Sequence, residues 1–100
     1  MHYSQGGRAS LTFGEVIKIN RLTEDWTIDN VAAFLLAEGA IVGKAEINAI
    51  ETLGVLPSPT LTKKLARLFD CNEQKFLSAV AWEKIERYQD KINKKYGGKS

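Results

Sequence analysis

Residues 27–54 read TIDNVAAFLLAEGAIVGKAEINAIETLG. Thr27 offers a hydroxyl to the free N–H groups at the start of a helix, and Gly39 can adopt the left-handed conformation that closes one. The stretch therefore predicts a helix from Thr27 to about Glu38. Its apolar positions spread over more than one narrow stripe, so we expect two faces to be buried and the helix to lie centrally. These positions are Ile28, Val31, Ala32, Phe34, Leu35 and Leu36.

A second helix follows after the short connection AIVG. The segment from Lys44 to Glu51 carries Ile47 and Ile50 at a spacing that places both on one side, and Gly54 ends it. Its other positions are mostly polar or small. The two segments therefore predict a helix, a turn and a short second helix with a hydrophilic outer side.

The flanking sequence predicts three further helices and no strand. Helix one starts at Phe13. Helix four runs from about Thr60 to Phe69, after a serine that can cap it and a proline suited to its first position. Helix five follows a capping Asn72 and keeps its apolar spacing as far as Tyr96, about 36 Å of helix. The sequence thus predicts an all-α fold of five helices with an extended C-terminal helix.

The composition indicates a single soluble domain. The chain has 100 residues, 44% of them hydrophobic and 26% charged, with a net charge of +2. The single cysteine, Cys71, cannot close an intramolecular disulfide, and no apolar run approaches the ~18 residues of a membrane span. Because no secretion signal opens the sequence, we expect a cytoplasmic protein that makes no membrane contact.

Residues suited to catalysis or metal binding are scarce. His2 lies in a glycine-containing stretch without apolar periodicity, and Cys71 has no histidine near it in the sequence. No phosphate-binding glycine loop and no metal-ligand spacing is present. We therefore expect no enzymatic activity, no metal and no cofactor.

The order of the motifs resembles the helix-turn-helix domain of phage Cro and C1 repressors and their bacterial XRE-type relatives. The resemblance spans about residues 12–78. The positions that match the family pattern are Phe13, Gly14, Ile17, Arg21, Thr27, Val31, Ala32, Ile47, Ile50, Glu51, Pro57, Leu65, Ala66, Arg67 and Phe69.

Two departures from the family pattern concern the helix-turn-helix itself. The stretch from Ala32 to Glu51 is about five residues longer than in the phage repressors, as in some actinobacterial regulators, which lengthens the second helix or its turn. Ile28 stands where the family often has a glutamine that touches the DNA backbone. The resemblance therefore leaves open where the reading helix sits.

The resemblance assigns roles to individual residues. It implies a structural ion pair between Arg21 and Glu51, and double-stranded DNA as a partner. The DNA-binding positions it predicts, together with the basic residues of helix four, are Thr27, Lys44, Ala45, Asn48, Ala49, Lys63 and Lys64. The alternative for Lys44 and Asn48 is a solvated helix face, and for the helix-four lysines a role in solubility.

The C-terminal helix carries more apolar surface than a four-helix core can cover. We expect its side chains to form a homodimer interface, the alternative being that the helix folds back on its own domain. The interface residues are Trp82, Ile85, Tyr88, Ile92 and Tyr96. A dimer would present two reading helices to a two-fold DNA site with half-sites about one helical turn apart.

The chain therefore divides into four predicted parts. Residues 1–11 form a flexible arm, native or artificial, and residues 12–71 form a helix-turn-helix DNA-binding domain. Residues 72–96 form the dimerisation helix and residues 97–100 a flexible tail. The leading interpretation is a nucleoid-associated, sequence-specific transcriptional regulator. The alternative is an adaptor or antitoxin-like module of helix-turn-helix origin that binds a protein partner and not DNA, since residues 27–58 carry one lysine against four carboxylates.

Overall fold

The computed structural model describes residues 11–97 of the chain. These residues form five α-helices and no strand, which confirms the all-α prediction. The helices are α1 (Phe13–Thr23), α2 (Ile28–Ala37), α3 (Lys44–Thr52), α4 (Pro59–Leu68) and α5 (Glu73–Ile92). A π-helical turn, Asn93–Gly97, continues α5. The predicted arm and tail lie outside the described residues except for Leu11 and Gly97, and so does His2.

Side-chain caps explain where most of the helices begin. Thr27 accepts a hydrogen bond from the Asn30 N–H, and the Asn30 side chain accepts one from the Thr27 N–H. Ser58 caps α4, whose first residue is a proline, and Asn72 caps α5. These three starts agree with the sequence prediction. Each such cap stabilises its helix by about 1 kcal/mol, because it satisfies an N–H group that has no partner within the helix.

One hydrophobic core joins all five helices. It contains Phe13, Ile17, Val31, Leu35, Ile47, Ile50, Leu61, Leu65, Ala66, Phe69, Phe76 and Val80. Phe13 and Phe76 meet edge to face with ring centroids 5.3 Å apart, which fixes α5 against α1. The first two turns of α5 are thus part of the same packed unit as the helix-turn-helix. The helical spacing of α4 predicts Leu68 on the same buried side as Leu61 and Leu65, but Leu68 is only half-buried.

The prediction that α2 is central and buried on two faces is wrong. Only Val31 and Leu35 are fully buried in it. Leu36 is exposed, and Phe34 packs against Trp26 at the surface with ring centroids 4.8 Å apart. The reason is that, within residues 11–97, α2 packs mainly on α3 and α4, and these contacts leave the side of α2 that carries Leu36 exposed.

The connection between α2 and α3 is longer than the three or four residues of a common helix-turn-helix turn. It runs from the C-cap Glu38 to the N-cap Gly43. Gly39 has φ +87° and closes α2, as the sequence predicts. The extra length in the sequence therefore lies in the turn and not in α2. Among the described residues, no helix is long and apolar enough to cross a membrane.

Candidate nucleic-acid interface

The inner side of α3 is fixed to the core at several points. Ile47 and Ile50 are fully buried. On the adjacent helix α1, Gly14 lies so close that a Cβ atom at this position would be 2.1 Å from the backbone oxygen of Ile50. Because α1 and α3 approach at this distance, the position of α3 is set by backbone packing and not only by side chains.

A buried ion pair fastens the end of α3 to α1. The Arg21 Nε donates to Glu51 Oε2 at 2.7 Å and Nη2 donates to Oε1 at 2.9 Å, a bidentate arrangement. The Glu51 side chain is 1% exposed. The third donor, Arg21 Nη1, reaches the Trp26 carbonyl at 2.9 Å. The structure thus brings together the two residues that the family resemblance pairs, and it ties α3 to the loop before α2.

This environment also changes the acid–base property of the arginine. The hydrogen bonds to Glu51 raise the pKa of the Arg21 guanidinium above its ordinary value and outweigh the opposite effect of burial. Arg21 therefore keeps its positive charge, and its hydrogen bonds to Glu51 act as a structural tie between α1 and α3.

The outer side of α3 is open to solvent. Lys44, Ala45 and Asn48 are exposed, and Ala49 is half-buried at the edge of the same helix. Gly43 caps α3 without any side-chain hydrogen bond. Four of the predicted DNA-binding positions therefore lie on one helix, and three of these four side chains are exposed to solvent.

A shallow groove joins this part of α3 to the start of α2. It has a volume of about 660 Å³ and is lined by Arg21, Leu22, Asp25, Trp26, Thr27, Ile28, Asp29, Lys44, Ala45 and Asn48. The structure thus places four predicted residues, Thr27, Lys44, Ala45 and Asn48, around a single concavity. Thr27 is exposed, with its hydroxyl oxygen already accepting from Asn30.

The charge of this groove is mixed. Lys44 Nζ lies 3.6 Å from Asp29 Oδ1, and both side chains are about two-thirds exposed. Asp25 adds a second carboxylate to the lining. Since Arg21 is committed to Glu51, Lys44 is the one cation of the lining that is free to turn outward.

The two predicted lysines of α4 lie elsewhere and differ from each other. Lys63 is exposed, whereas Lys64 is half-buried and its Nζ donates to the Glu38 carbonyl at 3.0 Å. Lys64 thus satisfies a carbonyl at the C-terminus of α2, where a positive charge also interacts favourably with the helix dipole. Neither lysine lines the groove.

The sequence prediction missed several groove residues, namely Leu22, Asp25, Trp26 and Asp29. Fifteen positions separate Asp29 from Lys44, so no local spacing could indicate their contact. Trp26 could have been noted, because a large aromatic residue directly before a helix cap often packs on the following helix.

The C-terminal half of α5 extends beyond the core, and several apolar side chains of this helix are exposed to solvent. Trp82 is 62% exposed and Tyr88 63%, while Ile85, Ile92 and Tyr96 are also exposed. Trp82 lines a depression with Leu11 and Val16, so at this position the helix borders its own domain. The five residues of the predicted interface all lie on the surface of the single chain.

The chain was compared with models of protein families, with curated proteins and with solved structures, and none of them matches it.

Proposed function

We propose that this chain is a sequence-specific DNA-binding regulator of transcription with a Cro/C1-type (XRE) helix-turn-helix fold, acting as a homodimer at the nucleoid in the cytoplasm. One observation carries the proposal. The N-terminal half of α3 presents Lys44, Ala45 and Asn48 to solvent, while Ile47 and Ile50 hold its other side in the core. In a helix-turn-helix, the N-terminal residues of the second helix meet base edges in the major groove.

The chemistry of these side chains suits base contacts. Lys44 and Asn48 are four residues apart and therefore neighbours on one helix face. A lysine can donate to guanine O6 or N7, and an asparagine can pair with adenine N6 and N7. Ala45 and Ala49 are small enough to lie against a thymine methyl group. The face can therefore distinguish a short sequence that contains guanine next to A·T pairs.

The ion pair with Asp29 does not prevent Lys44 from reaching a base. An exposed pair of this kind stabilises a protein by about 0–1 kcal/mol. A good base contact contributes about 1–3 kcal/mol of discrimination. The free energy gained from a base contact therefore exceeds the free energy lost when Lys44 turns away from Asp29. Lys63 would add a phosphate contact, whereas Lys64 would first have to release the Glu38 carbonyl.

Selection of bound DNA from a random pool at about 50 mM salt, followed by fluorescence anisotropy on the selected sequence, tests the proposal. We expect Lys44→Ala and Asn48→Ala each to weaken binding about 5- to 150-fold, from the 1–3 kcal/mol of a base contact. The matched control is Lys18→Ala, which removes an exposed charge on α1. It should change the affinity less than twofold. Failure to retain any DNA at this salt concentration would contradict the proposal.

A second function has one observation in its favour. The groove next to α3 is lined by the carboxylates of Asp25 and Asp29 and by the apolar side chains of Leu22, Trp26 and Ile28. This combination suits a basic, partly apolar segment of a protein partner, as expected for an adaptor or antitoxin-like module.

The same selection separates the two functions. An adaptor would retain no DNA, and its partner binding would weaken on Asp29→Asn. A DNA-binding regulator would bind DNA more tightly after the same substitution, because a carboxylate close to the phosphate backbone is removed.

A further inference from the structure

The exposed face of α5 has a regular pattern. Ala81, Ile85, Tyr88 and Ile92 follow each other at intervals of four, three and four residues. This is the 3.5-residue spacing by which two helices pack side by side in a coiled coil. Trp82 and Gln89 flank this row on the same side, and all six residues are exposed. The sector they form contains no charged residue.

The surface of this face has the shape that such packing requires. A depression on α5 is lined by Ile85, Tyr88, Gln89, Ile92 and Asn93. The first four stand at positions i, i+3, i+4 and i+7 of the helix. In a coiled coil, four residues in this arrangement form the hole that receives one side chain of the partner helix.

The area of the face matches a small stable dimer. The five large side chains of the predicted interface expose roughly 600 Å² per chain, taking an aromatic side chain as about 150–250 Å². If all of this surface is covered, a pair of chains buries at most about 1,200 Å² in total from these side chains, which is the lower limit of specific stable interfaces. The occupant that fits a long, straight, uncharged helix face of this size is an identical helix face.

The two edges of the face differ in charge. Lys84 and Lys91 border one edge, whereas the other edge is formed by the uncharged Trp82 and Gln89. In an antiparallel pair the lysine edges of the two chains would face each other, which is unfavourable. In a parallel pair each lysine edge faces the uncharged edge of the other helix, so this repulsion is avoided. Charges at the edges contribute little energy but set the orientation of the helices.

We propose that two copies of this chain associate through a parallel pair of α5 helices, with Ile85 and Ile92 on the two-fold axis. This inference rests on the homodimer of the proposed function but not on DNA binding. Phe76 and Val80 hold each α5 helix against its own core. A parallel pair therefore places both helix-turn-helix units at the same end. The two shorter dimensions of the molecule are 30 and 22 Å, so two units side by side are spaced on the order of the ~34 Å between half-sites.

Disulfide formation between single cysteines tests the orientation. In a full-length Cys71→Ser background, Ile85→Cys and Ile92→Cys are each oxidised, and the dimer fraction is measured on a non-reducing gel. A parallel pair brings each new cysteine within bonding distance of its own copy. Each variant alone should therefore form mostly dimer, as should Tyr88→Cys. Lys18→Cys, on an exposed position of α1, is the control and should stay monomeric.

The other outcomes overturn the proposal. A disulfide that forms only when the Ile85→Cys and Ile92→Cys variants are mixed would show an antiparallel pair. Absence of any disulfide, together with a monomer mass by light scattering for the unmodified chain, would show no dimer. Because none of these measurements contains DNA, loss of the parallel pair and loss of DNA binding are observed separately. Circular dichroism checks that each variant folds. Lys18, Ile85, Tyr88 and Ile92 are exposed, and serine in the background replaces the half-buried Cys71 with a side chain of nearly the same shape.

Discussion

The close approach of α1 and α3 gives a sharp prediction for Gly14→Ala. Alanine is favoured over glycine in a helix by about 1 kcal/mol, so at an open position of α1 this substitution would stabilise the protein. At Gly14, however, the new Cβ would lie 2.1 Å from the Ile50 oxygen and 3.2 Å from the Glu51 oxygen. Non-bonded carbon and oxygen atoms do not approach each other as closely as 2.1 Å. The two helices must therefore separate.

The net change in stability is the steric cost of the new methyl group minus the gain in helix propensity. Both atoms that the methyl group meets belong to the backbone, so they cannot rotate away as a flexible side chain would. Overpacking in a core usually costs about 1–3 kcal/mol, and sometimes more. Because the methyl group meets two backbone atoms, the cost lies in the upper part of this range, about 2–3 kcal/mol. After subtraction of the gain of about 1 kcal/mol in helix propensity, we expect a net loss of about 1–2 kcal/mol. In a domain of this size the melting temperature then falls by about 4–16 °C.

Urea unfolding followed by circular dichroism measures the free energy. The control is Gly43→Ala, because nothing lies within 4 Å of a Cβ at Gly43 and its φ of −82° suits any residue. The control should lose less than about 1 kcal/mol, from the weaker capping by alanine. If Gly14→Ala is as stable as the unmodified protein or more so, α1 and α3 are not in contact as described. A displaced α3 would in addition weaken DNA binding.

Four further predictions concern charged and ionisable groups. Glu51→Ala should lower the free energy of unfolding in urea by about 3–5 kcal/mol, because it leaves the Arg21 guanidinium buried without its partner. The double variant with Arg21→Met and Glu51→Leu should recover most of this loss. Burial raises the pKa of the Cys71 thiol, and the neighbouring Asp70 adds to the effect. At pH 8, iodoacetamide should therefore alkylate Cys71 more slowly in the folded protein than in urea. Equal alkylation rates would contradict this. The raised pKa of Cys71 stabilises the fold below the ordinary thiol pKa, and this contribution is lost as the pH rises through the pKa of the folded state. Since Cys71→Ser removes the thiol, the free energy of unfolding of this variant should fall less steeply with pH above about pH 8. Asp29→Asn should leave the melting temperature within about 3 °C, since its pair with Lys44 is exposed, and should strengthen binding to the selected DNA.

The parts of the fold that follow from local chemistry could be predicted from the sequence. Thr27, Ser58 and Asn72 cap helices that start where the sequence places them, and Gly39 closes α2. Each of these residues acts within three or four positions of itself. Such effects depend little on the rest of the molecule, so the sequence is sufficient to locate them.

The residues that close α1 and α4 could not be identified in the same way, although the sequence places the end of helix four at its C-cap, Phe69. They are Asp25 and Asp70, which have φ of 64° and 57°. Their neighbours then close the helices by donating back, from Trp26 to the Arg21 carbonyl and from Cys71 to the Ala66 carbonyl. Aspartate tolerates this left-handed conformation better than most residues, but it adopts it far less often than glycine. A search for glycine alone therefore misses both ends.

The candidate site was only partly predictable, for a physical reason that also bears on its function. Ile47 and Ile50 identify the buried side of α3, so the outward position of Lys44 and Asn48 follows from helix periodicity. The contact of Lys44 with Asp29 and the mixed charge of the groove depend on how the long turn from Glu38 to Gly43 brings the two helices together. No periodicity encodes that turn. The charge next to Lys44 and Asn48 therefore bears on the choice between a DNA-binding and a protein-binding surface. The excess of carboxylates in residues 27–58 is visible in the sequence, whereas the position of Asp25 and Asp29 beside α3 depends on tertiary packing.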